Sequence, residues 1–338
     1  MKLFAGDRLF CAWYSTSRCN SNCATCSTHK IDSSNELSTA EAERLIDQTA
    51  ACGIRFFNIF GGEPLLREDM EHLANYSIDK GLKVIFSTNG ILIDKHIDWL
   101  SKSRKLITTV SMDAMDRETY KRIRGVDAFD RVMENVKALN KRLPPYNLRL
   151  FTTISPLNFR QAMDIVGLCE RERMAWLGTT VSSGAKGTLF ELHDEEARPE
   201  NPEFAKELPA LLKKIADKCR HSRSTYLFSG FYEMLIDIAA GKIIPCAAVD
   251  MNVAVMNNGD VSNCFLLPPF GNIRKEPLKE LLKKGSERER QKEVEECYKR
   301  GHCTMSCVYT PVAVRKHPIR FAFESMVSGR IIELAKKF

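Results

Sequence analysis

The sequence predicts an α/β protein, and three observations point to a partial (β/α)6 barrel. Short apolar runs alternate with helical segments, the connections between them are short, and several runs end in small or polar residues. Six βα repeats of this kind imply a parallel sheet with the helices outside it. Right-handed crossovers would curl that sheet into a partial barrel, in which functional residues lie at the carboxyl ends of the strands.

The individual elements follow from start and stop signals. Ser38-Thr39-Ala40-Glu41 is a capping box and opens the first helix, which should end near Gly53. A first strand precedes the cysteine-rich loop at 19–26. The later strands are predicted at 54–60, 82–87, 105–112, 147–154 and 176–182. The later helices are predicted at 67–80, 94–103, 117–143, 158–173, 203–220 and 230–240.

Composition favours an intracellular enzyme. The chain has 338 residues, of which 44% are hydrophobic and 28% charged, and this suits one large domain plus a small one. The apolar start is interrupted by Asp7-Arg8 and is too short for a secretory signal, and no segment is apolar enough to span a membrane. The twelve cysteines are therefore expected to be reduced, metal-binding thiols in a cytoplasmic protein. The sequence contains no dense basic run with interleaved aromatic residues, so nucleic-acid binding is not expected.

Three cysteines with the spacing C-x-x-x-C-x-x-C follow the first strand, at Cys19, Cys23 and Cys26. Three thiolates can hold three corners of a cubane iron–sulfur cluster and leave the fourth iron open for a small ligand. The alternative is a zinc knuckle, because His29 would complete a Cys3His set. Downstream, strands end in Gly61-Gly62-Glu63 and in Ser87-Thr88-Asn89-Gly90. These groups could face a common ligand.

The cysteine spacing together with the Gly-Gly-Glu segment resembles the signature of the radical S-adenosylmethionine (radical SAM) superfamily. The match covers roughly residues 8–190, and the combination is far more specific than a lone glycine pair. One departure is Thr25, where the family usually has an aromatic residue. The resemblance implies a TIM-like partial barrel that binds a catalytic 4Fe-4S cluster and S-adenosylmethionine (AdoMet).

The resemblance also implies roles for individual residues. The cluster would be ligated by Cys19, Cys23 and Cys26. The residues expected to bind AdoMet are Gly61, Gly62, Glu63, Ser87, Asn89, Ser111, Asp113 and Arg124. Among them, Glu63 would pair with the amino group and Arg124 with the carboxylate. The alternatives are structural roles: a turn for the glycines, a helix cap for Asp113 and a solvated helix charge for Arg124.

In that family, an electron from a reductant such as flavodoxin or ferredoxin leads to cleavage of AdoMet, and the 5′-deoxyadenosyl radical takes a hydrogen atom from substrate. The expected substrate is a small molecule or a peptide. A lipid or isoprenoid is an alternative. A non-enzymatic iron or zinc scaffold is another, although it would make the glycine and serine motifs a coincidence.

Five further cysteines lie in the C-terminal third, at Cys246, Cys264, Cys297, Cys303 and Cys307. Between the first two, Asn257-Asn258-Gly259-Asp260 predicts a hairpin, because Asn-Gly supplies the positive φ of a tight turn. Such a hairpin could present two thiolates to one site.

This arrangement resembles the SPASM and twitch modules, which carry auxiliary clusters in many radical SAM enzymes. Gly259, five residues before Cys264, and Gly271-Asn272-Ile273 match the pattern. The two-cluster form would have cysteine at Val294 and another after Cys307, so the resemblance implies one auxiliary 4Fe-4S cluster that accepts an electron from the substrate radical. Its expected ligands are Cys246, Cys264, Cys307 and one of Cys297 or Cys303. Structural zinc is the alternative.

The expected organisation is a barrel at 1–220, a small C-terminal iron–sulfur domain at 221–311 and an amphipathic helix within 312–338. The apolar stripe of that helix has basic residues beside it. Docking against the barrel is the favoured role of residues 319–338, and contact with a membrane surface is the alternative.

Overall fold

The computed structural model describes residues 10–182, 191–192, 194–225, 227–299, 303, 312–314 and 316–327. Its first six strands are β1 (Phe10–Tyr14), β2 (Phe56–Phe60), β3 (Lys83–Thr88), β4 (Leu106–Ser111), β5 (Arg149–Ile154) and β6 (Ala175–Thr180). The helices that accompany them are α1 (Thr39–Ala51), α2 (Met70–Asp79), α3 (Ile93–Leu100), α4 (Arg117–Arg124), α5 (Phe129–Arg142), α6 (Ala162–Arg171), α7 (Pro202–Cys219) and α8 (Ser229–Ala239).

The six strands lie side by side in chain order, and each pairs in parallel with its neighbour. In the first pair, for example, Phe10 is opposite Phe56 and Tyr14 is opposite Phe60. Their carboxyl ends therefore meet at one edge of the sheet, next to the cysteine loop. The predicted α/β fold with a partial (β/α)6 barrel is confirmed.

Alternating burial along the strands places large side chains between sheet and helices. Trp13, Phe57, Phe86 and Trp176 are fully buried there. The capping box predicted at the start of α1 is present, because the Ser38 side chain accepts from the backbone of Glu41 and the Glu41 side chain accepts in return.

The prediction of one continuous helix over 117–143 is wrong. Gly125 ends α4 in the left-handed conformation with φ 65°, and α5 begins only at Phe129. A left-handed glycine is a common helix terminator, and it lets the chain turn back towards the cysteine loop.

The predicted hairpin is also present and joins the barrel directly. It consists of β7 (Asn252–Val255) and β8 (Asp260–Ser262), and β9 (Gly271–Asn272) pairs with β8. Since β7 pairs in parallel with β1, the C-terminal segment extends the barrel sheet. The helices of this region are α9 (Ala248–Met251), α10 (Leu278–Lys284) and α11 (Arg288–Lys299). A separate domain at 221–311 stays a prediction.

The last described helix, α12 (Pro318–Val327), docks on α8. The Phe321 ring meets the Phe228 ring edge-on at 5.3 Å, and the buried Glu324 accepts hydrogen bonds from the backbone and hydroxyl of Ser229. These contacts agree with docking for this part of the helix. Residues 328–338, which carry the rest of the expected stripe, lie outside the described residues.

Candidate active site and second cysteine site

The cysteine loop at 19–26 is held by the C-terminal end of α4. The backbone of Asn22 donates to the Arg124 carbonyl at 3.1 Å, and that of Ala24 donates to the Ile123 carbonyl at 2.8 Å. A Cβ atom at Gly125 would lie only 2.1 Å from the Asn22 carbonyl oxygen. Glycine is therefore required at Gly125 both for its positive φ and for this close approach.

The two glycines after β2 approach the chain that leads into Cys19. The backbone of Gly62 donates to the Thr16 carbonyl at 2.7 Å, and that of Glu63 donates to the Arg18 carbonyl at 2.8 Å. A Cβ atom at Gly62 would lie 2.3 Å from the Arg18 carbonyl oxygen. Since no side chain fits there, the glycines fix the position of the cysteine loop relative to Glu63.

The Glu63 carboxylate is fully buried and accepts three hydrogen bonds. The donors are the Leu65 backbone at 3.0 Å, the Thr88 hydroxyl at 2.8 Å and the Asn89 backbone at 2.7 Å. Burial raises the pKa of Glu63 to about 7, although these donors oppose the shift. Ser87, which is predicted to bind AdoMet, is half-buried, whereas its neighbour Thr88, which is not among the residues expected to bind AdoMet, is buried and bonds to Glu63.

Asn89 links the Glu63 pocket to the cysteine loop. Its side-chain amide donates to the Asn20 side chain at 2.6 Å and to the Ser21 hydroxyl at 3.2 Å. The end of β3 therefore contacts the same loop as the end of β2.

Arg124 and Asp113 form a buried ion pair at 3.0 Å. Asp113 also accepts from the Thr153 backbone at 2.8 Å, and Arg124 donates to the Ser111 carbonyl at 3.4 Å. Burial alone would lower the pKa of Arg124, but Cys23 and Asp113 raise it above its ordinary value. A solvated helix charge is therefore wrong for Arg124. A helix cap is wrong for Asp113, because Asp116 caps α4.

Two supporting residues have no signal in the sequence. The Glu36 carboxylate accepts from the Thr16 hydroxyl and from the Ser17 backbone, each at 2.8 Å. The buried Arg67 donates to the carbonyls of Ser15 and Leu37, both at 3.1 Å. Both contact the segment that precedes Cys19, and neither belongs to a recognisable motif.

The three loop thiols are close enough to influence one another. The pKa of Cys19 is raised to about 11, mainly by burial and with smaller contributions from Cys23, Glu63 and Cys26. The pKa of Cys23 is raised by burial and lowered by Arg124. In the part of the chain that the structure describes, no three His, Cys, Asp or Glu side chains form a site for a lone metal ion.

Four of the five C-terminal cysteines line one small cavity. They are Cys246, Cys264, Cys297 and Cys303. Val294, which stands where the two-cluster form would have cysteine, lines the same cavity. The pKa of Cys264 is raised to about 11, mainly by burial and with a smaller contribution from Cys297. The hairpin and α11 therefore bring together thiols that are far apart in sequence.

This set differs from the predicted one, which admitted only one of Cys297 and Cys303 and included Cys307. Cys307 lies outside the described residues. The neighbouring Phe265 ring meets the Phe60 ring edge-on at 5.0 Å, and Phe60 directly precedes Gly61. The residue after Cys264 thus contacts the last residue of β2, three residues before Glu63.

Comparison with known proteins decides the family. Residues 13–169 match the model of the Radical SAM superfamily. The chain contains a radical SAM domain. This match confirms the predicted superfamily for that domain.

Among curated proteins, an AdoMet-dependent heme synthase of Methanosarcina barkeri is 36% identical over 155 residues, which are 44% of each chain. A probable GTP 3′,8-cyclase of Thermococcus kodakarensis is 27% identical and is matched over 74% of this chain and 82% of its own. These names confirm the prediction of a radical SAM enzyme. The chain spans less than half the length of the heme synthase.

Among solved structures, Streptococcus suis SuiB bound to S-adenosylmethionine superposes with a TM-score of 0.66 at 19% identity, over 82% of this chain and 65% of SuiB. This likeness confirms the fold class. None of the helices in the described part of the chain combines the length and apolar character that crossing a membrane demands.

Proposed function

We propose that this protein cleaves AdoMet reductively at a site formed by Cys19, Cys23 and Cys26 on one side and by Glu63 and Arg124 on the other. The observation that carries the proposal is the convergence of three strand ends and one helix end on one loop. The ends of β1, β2 and β3 and the α4 helix that follows β4 all contact residues 16–24. AdoMet can bind to the open iron of a three-thiolate cluster only if the residues that bind AdoMet lie next to the cysteine loop.

The residues suit both groups chemically. Three thiolates would hold three irons of a 4Fe-4S cluster and leave one for AdoMet. AdoMet carries an ammonium and a carboxylate, which the Glu63 carboxylate and the Arg124 guanidinium complement in charge. When bound, the cluster and AdoMet supply reductive carbon–sulfur cleavage to a 5′-deoxyadenosyl radical. The role of the protein is then to exclude water and to hold the substrate carbon close to that radical.

We further propose an auxiliary 4Fe-4S cluster on Cys246, Cys264, Cys297 and Cys303, which would assist oxidation of the substrate radical. The support is that these four thiols line one cavity. Four thiolates are a complete ligand set for a cubane. The contact between Phe265 and Phe60 connects this cavity to the strand end of the AdoMet site.

The proposed substrate is a small molecule or a peptide. SuiB was crystallised with a precursor peptide, whereas the curated relatives are named for heme and GTP chemistry. A lipid substrate has less support, because Phe321 and Glu324 of α12 contact α8.

Anaerobic reconstitution tests the proposal. The protein should bind about eight irons per chain. With reductant and excess AdoMet it should form 5′-deoxyadenosine. Replacing Cys19, Cys23 and Cys26 by Ala should leave about four irons and abolish cleavage. Cys169→Ala is the control, because Cys169 is buried in α6. Zinc instead of iron in anaerobic preparations would contradict the proposal.

A further inference from the structure

A chain of hydroxyl groups ends at one of the proposed cluster ligands. The Thr28 hydroxyl oxygen lies 3.1 Å from the Cys26 sulfur, and the Tyr14 hydroxyl donates to the same oxygen at 3.1 Å. Tyr14 and Thr28 are only 1% and 4% exposed. Water therefore does not compete for these hydrogen bonds.

The direction of the bonds is fixed once Cys26 ligates a metal. A thiolate can only accept, so the Thr28 hydroxyl must donate to it. The Thr28 oxygen can then still accept a hydrogen bond, and the Tyr14 hydroxyl donates it. Burial raises the pKa of Tyr14 above its ordinary value, so the phenol keeps its proton and stays a donor.

Both residues are held by the fold. Tyr14 is the last residue of β1, and its ring meets the Phe60 ring edge-on at 5.7 Å. Thr28 begins a 3-10 turn that ends at Lys30, where the Ile31 backbone donates to the Thr28 carbonyl at 3.0 Å. The donor is thus positioned before any metal binds.

We propose that Thr28 donates a hydrogen bond to the Cys26 thiolate, that Tyr14 orients this donor, and that the pair raises the reduction potential of the catalytic cluster. Reduction adds negative charge that spreads onto the sulfur ligands, so a donor at sulfur stabilises the reduced form more than the oxidised form. The inference rests on the proposed function, since it requires the cluster on Cys19, Cys23 and Cys26.

The test is a redox titration of the reconstituted protein, followed by electron paramagnetic resonance. The signal that changes on addition of AdoMet identifies the catalytic cluster and separates it from any auxiliary cluster. Thr28→Val should lower the midpoint potential by about 59 mV. At a fixed potential, this shift makes the ratio of reduced to oxidised cluster about tenfold smaller. Thr28→Ser should restore the wild-type midpoint, and Tyr14→Phe should lower it by a smaller amount.

Thr49→Val is the matched control. Thr49 is a buried threonine whose hydroxyl donates to the Leu45 carbonyl at 2.7 Å and also lies beside the thiol of Cys11. Cys11 is not a proposed ligand, so the midpoint should not move.

Equal midpoint potentials in wild type and Thr28→Val would overturn the inference. Equal shifts of the midpoint potential in Thr28→Val and Thr28→Ser would also overturn it, because they would indicate a packing effect. If Thr28→Val binds no iron, Tyr14→Phe decides, because it keeps the Thr28 hydroxyl; an unchanged midpoint would then overturn the inference. Absence of any AdoMet-sensitive signal in the wild type would instead overturn the proposed catalytic cluster itself.

Discussion

The two cysteine sites of this protein are built in opposite ways. The catalytic loop places three cysteines within residues 19–26, and backbone hydrogen bonds from neighbouring elements hold it. The second site gathers cysteines from residue 246 to residue 303 around one cavity. The first site therefore depends on a close backbone fit around a short segment. The second depends on the topology that adds β7 to the edge of β1.

The largest expected effect tests the backbone fit. In Gly125→Ala, a Cβ atom would meet the Asn22 carbonyl at 2.1 Å, so either the loop or α4 must move. We expect the variant to lose about four irons per chain and to lose AdoMet cleavage. Iron analysis and 5′-deoxyadenosine formation measure both effects.

Gly53→Ala is the control for backbone strain alone. Gly53 also has a positive φ, of 75°, but no atom lies within 4 Å of the added Cβ. It should cost about 1 kcal/mol of folding free energy and keep all the iron. If Gly125→Ala behaved in the same way, the close approach would not hold the loop.

The next effect tests the dispersed site. Cys297→Ala and Cys303→Ala should each reduce the auxiliary iron content, because both thiols line the cavity. Cys307→Ala should retain it if four cavity thiols complete the cluster. The catalytic signal that responds to AdoMet should survive in all three variants. Retention of about eight irons in Cys303→Ala would exclude that residue as a ligand.

The contrast also explains what the sequence could predict. Spacing identifies Cys19, Cys23 and Cys26 because their geometry is local, and strand ends identify Glu63 and Asn89 because parallel strands share an edge. The partners of Glu63 were harder to predict. The Thr88 hydroxyl contacts Glu63, but neighbouring strand residues point to opposite faces, and the sequence does not say which face Thr88 is on.

Other features depend on tertiary contacts that have no local pattern. Glu36 and Arg67 lie outside every motif, yet they contact the chain before Cys19. The break after Arg124 has no local signal strong enough to predict it, because a single glycine in a long helical pattern does not by itself end a helix. The choice among the C-terminal cysteines required the position of α11 relative to the hairpin.

A third prediction concerns pH at the catalytic site alone. Burial raises the pKa of Glu63 to about 7, so the carboxyl is largely protonated below that pH and carries no charge to pair with the AdoMet ammonium. The Kd for AdoMet should therefore increase by about tenfold per pH unit below about pH 7, and it should increase again above about pH 8, where the AdoMet ammonium loses its own proton.

Equilibrium binding of AdoMet to reconstituted protein between about pH 5.5 and 8.5 measures this dependence. Absorbance of the clusters, followed at each pH, shows that they remain intact. Gln cannot titrate, so AdoMet binding to Glu63→Gln should be weak and should not change with pH below about pH 7. A wild-type profile without a change near pH 7 would mean that Glu63 does not bind the ammonium.

The smallest expected effect tests whether the two regions act as one unit. Asn257, in the hairpin turn, is 2% exposed, and its side chain donates to the Asp32 carbonyl at 2.9 Å and to the Ser17 hydroxyl at 3.5 Å. Asn257→Ala removes these bonds between the hairpin and the segment around the catalytic loop. We expect a loss of about 1 kcal/mol, which lowers the thermal midpoint of the reconstituted protein by about 2 °C. Asn258→Ala is the matched control, because its side chain bonds only to Asp260 within the same turn. A larger loss in Asn257→Ala than in Asn258→Ala indicates that the hairpin supports the catalytic loop, whereas equal losses would mean that the turn matters only to its own region.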